Sequence, residues 1–371
     1  MGTPAHHKKG QQFMKPNVLI TGTGMFAGRI ALDMAATAKE PVTVVIAGRN
    51  RDRLSWLETA ANARAAMFGT PARFRAERID LLDDGASERL LRDLQPGLVV
   101  QAASIQTSSV ISDQGSRWTA LVAEGGLSAT AVFQALISSR MAAAISAIAP
   151  GTPLINCSFP DVVNGMITAM GHDVLCGTGN VAILSNVFQG APGLPEGNLK
   201  VLAQYQCLAP WRLPAEDRSG PAPRIFIDDA EISDPFETFQ KCRLTPEPAI
   251  EISGASGVTL ILALASERDW HGHVPGPNGL PGGYPVKLRD GCLSLDLPSA
   301  VTEEEAVAWN DGFERVNGLT TSAGRAVFHG RLAERLAEEG FAYADGFVMA
   351  DLEEVCEVML TLRQRLISQA A

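Results

Sequence analysis

The stretch Asn17–Ala35, NVLITGTGMFAGRIALDMA, sets an apolar run directly before three closely spaced glycines and a helix-like pattern. Val18-Leu19-Ile20 is short and rich in branched side chains, which reads as a buried strand. Gly22, Gly24 and Gly28 follow in the order Gly-x-Gly-x-x-Ala-Gly, with Ala27 in the third position of the dinucleotide-binding fingerprint. The first glycine permits a tight turn and the second lets a pyrophosphate come close to the backbone. The small Ala27 or Gly28 seats the new helix against the strand. Free N–H groups and the positive end of that helix then meet the phosphate charge, with Met25, Phe26 and Ala27 in the same candidate site. The alternative is an ordinary Gly-rich strand-to-helix turn without a ligand, so the flanks decide.

The flanks agree with a nucleotide site. TVVIAGRNRDRL supplies a second strand, Thr43 to Ala47. An NAD site usually carries an acidic residue there for the ribose hydroxyl, whereas this chain has Gly48-Arg49-Asn50-Arg51. A guanidinium pairs with a 2′-phosphate and stacks on adenine, so the pattern favours NADP, with Arg49, Asn50 and Arg51 as contacts. The competing reading is a solvated helix start bearing Arg49, Arg51 and Arg53. RFRAERIDLLDD gives a third strand ending near Asp80, also assigned to the cofactor site, and ASERLLRDLQP an amphipathic helix. PGLVVQAAS gives a fourth strand, whose small residues Ala102, Ala103 and Ser104 would let the backbone pass close to a cofactor. A helix from Ser128 to about Ile148 and a strand from Leu154 to Cys157 continue the alternation. Strands alternating with helices in this way predict an α/β fold with a doubly wound parallel sheet.

At 371 residues the chain is too long for that unit alone, and roughly 150 residues per domain suggests two. The expected division is a disordered leader over 1–15, a dinucleotide-binding domain over 16–160 and a substrate or dimerisation domain over 161–330. Helices over 331–371 are expected to pack back on the first domain. With 46% hydrophobic and 19% charged residues the composition is that of a globular protein. The net charge of −10 argues against nucleic acid, which would need a basic face. No apolar run approaches the roughly 20 residues of a membrane span, and the start has no apolar core of a secretory signal. The expectation is a cytoplasmic protein. Six scattered cysteines without CxxC spacing fit reduced thiols, and the lone HGH pair, His271 and His273, makes no metal site.

Beyond Pro160 the texture changes. NLKVLAQYQCL, RIFIDDAEI and AIEISGASGVTLILALA read as β-rich segments, and YPVKLRDGCLSLDLPS as a hairpin turning at Asp290-Gly291. A predominantly antiparallel α+β second domain is the expectation. Thr302 to Glu305 forms a capping box before a helix, and a last helix runs from about Asp351, as its cap, to Ile367. Gly/Pro-rich Trp270–Tyr284 reads as an irregular lid or pocket wall.

The Gly-x-Gly-x-x-Ala turn, AGRN with a following Arg-Leu, and the mixed second domain resemble the saccharopine dehydrogenase-like NADP-dependent reductases. The resemblance covers about residues 16–160 and is loose afterwards. NCSFPDVVNG and CGTGN, Cys176 to Asn180, fit junction loops of such a protein. It implies a Rossmann domain and hydride transfer at an imine or carbonyl carbon of an amino-acid-like substrate. A homodimer paired through exposed sheets of the second domain is the default assembly. Arg212, Arg224, Lys241 and Arg243 are candidates to hold a carboxylate, or are surface charges.

Hydride transfer leaves the protein to supply orientation, a proton donor and polarising dipoles. Asp161 follows the last sheet strand, where ligands of open α/β sheets lie, although it reads equally as a helix cap. Asn164, Asn180, His271, His273 and Tyr284 complete the candidates, the histidines on pKa suitability. Two other classes compete. INCSFP is similar to the Asn-Cys setting of semialdehyde dehydrogenases that reduce acyl phosphates, with Cys157 as nucleophile and His271 or His273 as base. The chain could also sense NADP without turning over a substrate. The short-chain dehydrogenase pattern is not met, since Tyr284-Pro-Val-Lys287 is one residue short.

Overall fold

A computed structural model describes residues 17–106, 115–193, 197–245 and 249–369. The first half alternates β1 (Val18–Thr21), α1 (Met25–Thr37), β2 (Val42–Gly48), α2 (Arg51–Phe68), β3 (Ala72–Arg78), α3 (Ala86–Leu94) and β4 (Leu98–Gln101). It continues with α4 (Arg117–Gly125), α5 (Ala131–Ile148), β5 (Leu154–Asn156), α6 (Pro160–Ala169) and β6 (Cys176–Gly177). The six strands form one parallel sheet in the order β3-β2-β1-β4-β5-β6. Val18 pairs with Val44 on one side and Leu98 on the other, so β1 is central. Its residues are buried on both faces, as a parallel sheet between helix layers requires.

Alternation along β1 sends Val18 and Ile20 into a core with α1 and α2, and Leu19 into another with α3, α5 and α6. Strand order reverses between β1 and β4, which opens a crevice at their carboxyl ends. The helical stretch Leu127–Ile148, 22 residues, is long and apolar enough to cross a membrane, and it lies largely inside the second of these cores.

The rest of the chain holds α7 (Val181–Gln189), β7 (Leu199–Leu202), β8 (Arg224–Ile227), β9 (Ala230–Glu231), α8 (Pro235–Thr238), α9 (Ile250–Ser256) and α10 (Val258–Ala265). Then come β10 (Trp270–Pro275), β11 (Gly283–Arg289), β12 (Cys292–Leu295), α11 (Glu303–Val316), β13 (Leu319–Ser322) and β14 (Arg325–Phe328). The chain closes with α12 (Gly330–Glu338), β15 (Phe347–Val348) and α13 (Leu352–Ile367). β7–β9, β10–β12 and β13–β15 are three antiparallel sheets. The hairpin at Asp290-Gly291 and the Thr302 capping box form as the sequence predicts.

Four expectations are corrected. AIEISGASGVTLILALA is helical: Leu and Ala dominate its apolar run, and α10 buries Val258, Leu260 and Ile261. Its neighbour α9 lies on α1 so closely that a Cβ on Gly254 would meet Arg29 Cγ at 2.5 Å. The Trp270–Tyr284 segment is not irregular throughout, because β10 and the start of β11 take both of its ends. NLKVLAQYQCL is strand only over Leu199–Leu202 and passes into a 3-10 helix at Tyr205. Asp351 precedes α13 without a side-chain capping bond. The expected leader lies outside the described residues. At the other end of the chain, Val355, Met359, Leu362 and Leu366 of α13 join the core around α5.

Candidate functional site

The three glycines of the first turn have three different physical reasons. Gly22 adopts φ +106, and a Cβ there would meet the Ala102 carbonyl oxygen at 2.9 Å. Its N–H donates to the Ala47 carbonyl at 2.8 Å while Ala102 N–H donates to Thr21 at 2.9 Å. Gly22 therefore lets the carboxyl ends of β1, β2 and β4 close on one another. Gly28 packs α1 on α2, since a Cβ would touch Leu57 Cδ2 at 3.2 Å. Gly24 caps α1 with no side-chain hydrogen bond, and a Cβ there would meet nothing within 4 Å. Among the described residues the head of α1 thus has no side-chain cap, and the space beside the Gly24 Cα is open. That is the cradle a phosphate fills. Met25 is exposed beside it, Phe26 is half-buried and Ala27 is buried.

At the end of β2, Arg49 extends into solvent with Nη1 3.7 Å from Asp80 Oδ2. Arg51 is exposed on the first turn of α2, but Asn50 is the cap of that helix, its side chain accepting Arg53 N–H at 3.0 Å. Arg53 reaches back to the Thr23 carbonyl at 3.3 Å and ties α2 to the glycine turn. No carboxylate stands at the end of β2 itself. Across the crevice, Ala102, Ala103 and Ser104 are half-buried, with the Gln101 amide holding the Ala103 carbonyl at 2.6 Å.

Beneath these ends runs a buried chain of polar side chains, of which sequence reading picked out only Asn164. Thr21 donates to Gln101, whose amide donates to Ser138 Oγ at 3.3 Å. Ser138 donates to Asn156 Oδ1 at 3.0 Å, Asn156 to Asn164 Oδ1 at 2.8 Å, and Asn164 to the Gly276 carbonyl at 2.8 Å. The signal was present: Thr21, Gln101 and Asn156 each end an otherwise apolar strand. The chain fastens the carboxyl edge of the sheet to the turn between β10 and β11.

Asp161 sits in the first turn of α6, 2% exposed. It is not a cap, since Oδ1 accepts Tyr205 N–H at 2.9 Å and Oδ2 accepts the Asn180 amide. Burial raises its pKa to about 6, against the lowering effect of those two hydrogen bonds. Asn180 is half-buried and held at φ +46, ψ −106, and Phe159 before α6 is held at φ +49. Two strained residues therefore flank the carboxyl ends of β5 and β6. A second buried carboxyl, Glu314 of α11, accepts Ser128 Oγ and Leu319 N–H at 2.7 Å each on one oxygen and the Gln204 amide at 2.7 Å on the other. Burial raises it to about 7. Tyr205, whose ring edge meets Phe159, has its hydroxyl 3.3 Å from Ser128.

The other candidates are not gathered there. His271 is exposed on β10 opposite Lys287. His273 accepts Val201 N–H on Nε2 at 2.9 Å, and burial lowers its pKa to about 3, so it is a neutral acceptor rather than an acid. Tyr284 is fully buried with its hydroxyl donating to the Pro281 carbonyl at 2.7 Å, which makes it a turn fastener. Cys157 accepts from Thr178 and is pushed up to about 12 by burial. With no histidine among the described residues hydrogen-bonded to it, the thiol lacks the partner of an activated nucleophile. Arg224 is spent on Glu231 through two bonds of 2.7 and 2.8 Å.

The sequence matches no family model and no curated protein. In three dimensions the chain is similar to solved dehydrogenases. Lactate dehydrogenase from Cryptosporidium parvum, complexed with lactic acid and nicotinamide adenine dinucleotide, shares 12% identity over 94% of this chain and 99% of that one, TM-score 0.51. Malate dehydrogenase from Archaeoglobus fulgidus with NADH shares 13% over 86% and 99%, TM-score 0.51. Lactate dehydrogenase from Eimeria maxima with NADH and oxamate shares 14% over 82% and 93%, TM-score 0.50. At these identities the likeness establishes the fold, a Rossmann sheet followed by an antiparallel α+β part. It does not carry the narrower resemblance to saccharopine dehydrogenase-like reductases.

Proposed function

We propose that this chain is an NADPH-dependent oxidoreductase that reduces an imine or carbonyl of an amino-acid-derived small molecule. The observation that carries the reading is the head of α1, which among the described residues has no side-chain cap at Gly24 and has open space beside the Gly24 Cα. The solved dehydrogenases of similar fold were captured with NAD or NADH, so the preference for NADP rests on this chain's own Gly48-Arg49-Asn50. A bound dinucleotide supplies the hydride. The protein's share is to seat the pyrophosphate on α1 and to polarise the acceptor. Asn180 supports that polarisation, because among the described residues its amide donates only to Asp161, at the carboxyl edge of the sheet. Substrate class and the homodimer rest on the sequence resemblance, and the dimer is checked by light scattering.

Fluorescence titration with NADPH and NADH tests the cofactor. The wild type is expected to prefer NADPH, and Arg49→Ala to lose about tenfold or more of that preference, as a charge-assisted phosphate contact is worth about 1.5–3 kcal/mol. Equal affinity for the two nucleotides, or none, would sink the proposal. Binding justifies assays with carbonyl substrates and with amine plus keto-acid mixtures.

A further inference from the structure

The ends of β2 and β3 open onto a groove of about 650 Å³, floored by Ile79, Leu90 and Leu94 and rimmed by Arg49, Asp80 and Arg89. At its mouth the Arg49 guanidinium is 67% exposed and the Asp80 carboxylate 36%, with 3.7 Å between them. Asp80 is fixed independently of Arg49. Its Oδ1 accepts Leu82 N–H at 3.1 Å, and the residue before it, Ile79, donates its N–H to the Gly48 carbonyl at 2.9 Å. The carboxylate is therefore placed by the β3–α3 turn, and the long Arg49 side chain comes to it.

We propose that Asp80 sets cofactor specificity as a built-in competitor of the 2′-phosphate for Arg49. The inference rests on the NADP reading above and adds what limits it. A 2′-phosphate carries nearly two negative charges at neutral pH, so it must draw the guanidinium from Asp80 and then lie within a few ångströms of that carboxylate. A 2′-hydroxyl meets no such repulsion and can donate to Asp80. The pair thus narrows the gap between NADPH and NADH that Arg49 alone would open.

The test is titration of wild type, Asp80→Asn, Arg49→Ala and the double variant with both nucleotides at low and high salt. Asparagine keeps an oxygen for Leu82 N–H, so the turn is retained, and thermal melting checks that it is. Asp80→Asn is expected to tighten NADPH about fivefold, the scale of one exposed charge, with NADH unchanged or weaker. The gain should shrink at high salt and vanish in the Arg49→Ala background. Unchanged or weaker NADPH binding by Asp80→Asn, or a gain that persists without Arg49, overturns the role of Asp80 while leaving the NADP reading intact. A wild type that binds neither nucleotide overturns both.

Discussion

Asn180 occupies a backbone region that glycine enters freely and a side chain with a Cβ does not, φ +46, ψ −106. Such a conformation costs of order 1–3 kcal/mol and persists only where something holds it. Here the hold is the hydrogen bond from its amide to the buried Asp161 carboxylate. The two contributions separate by substitution. Asn180→Gly loses the bond and relieves the strain, so its melting temperature should stay close to wild type. Asn180→Ala loses the bond and keeps the strain, and should be about 1 kcal/mol less stable than the glycine variant. On the role proposed for the Asn180 amide, both should also lose reductase turnover, because both lack that amide. A glycine variant less stable than alanine in thermal melts would refute the strain assignment.

Between elements, Glu314 is the tie that joins α11 to the turn before α5, through Ser128, and to β13, through Leu319. A carboxyl whose folded pKa is raised from 4.5 to about 7 stabilises the fold fully when protonated, below the unfolded pKa. That contribution is lost as pH rises toward 7. Asp161 acts in the same direction as pH rises toward about 6. Chemical denaturation should therefore show stability falling from pH 5 to pH 8, with about 3 kcal/mol of the fall belonging to Glu314. Glu314→Gln should flatten that slope while costing about 1–3 kcal/mol at pH 5, because its amide end faces the Gln204 donor. A slope unchanged in the variant would exclude Glu314 as its source. The same ties explain what the sequence could and could not show. The strands of the first half alternate with helices in chain order, so apolar runs and the Gly22 turn make them legible. The place of Asp161 after a sheet strand was legible too, though not whether it caps α6 or serves the site. Its partners Asn180 and Tyr205, and those of Glu314, come from separate elements that no local pattern joins. His273 reads as an acid until Val201 N–H from β7 is placed on it. The apolar run of α10 has no period of its own, and only burial beside α1 shows it to be a helix.

Over the whole molecule, the last helix supports a part of the candidate site that is more than two hundred residues earlier in sequence. α13 lies in the core with α5, and from it Arg363 stacks over the Phe133 ring at 4.8 Å and donates to Gln106 Oε1 at 2.9 Å. Gln106 is buried, and its backbone carbonyl accepts Ser104 Oγ at 2.5 Å, so this contact adds an anchor from the chain's last helix to the segment that follows β4, beside those from Gln101 and Thr21. Two substitutions in the same helix should then behave differently. Leu366→Ala removes a fully buried side chain and is expected to cost about 2–5 kcal/mol, while protein that remains folded keeps the wild-type affinity for the proposed nucleotide. Arg363→Ala should lower the melting temperature by only a few degrees, since it gives up one partly buried hydrogen bond and a ring contact. On the cofactor reading proposed above, it should nevertheless weaken nucleotide binding several-fold by loosening Ala102–Gln106. Calorimetry of unfolding beside nucleotide titration reads both quantities in each variant. If affinity followed stability in the two alike, α13 would be a packing element only, and the crevice would owe its shape to the sheet alone.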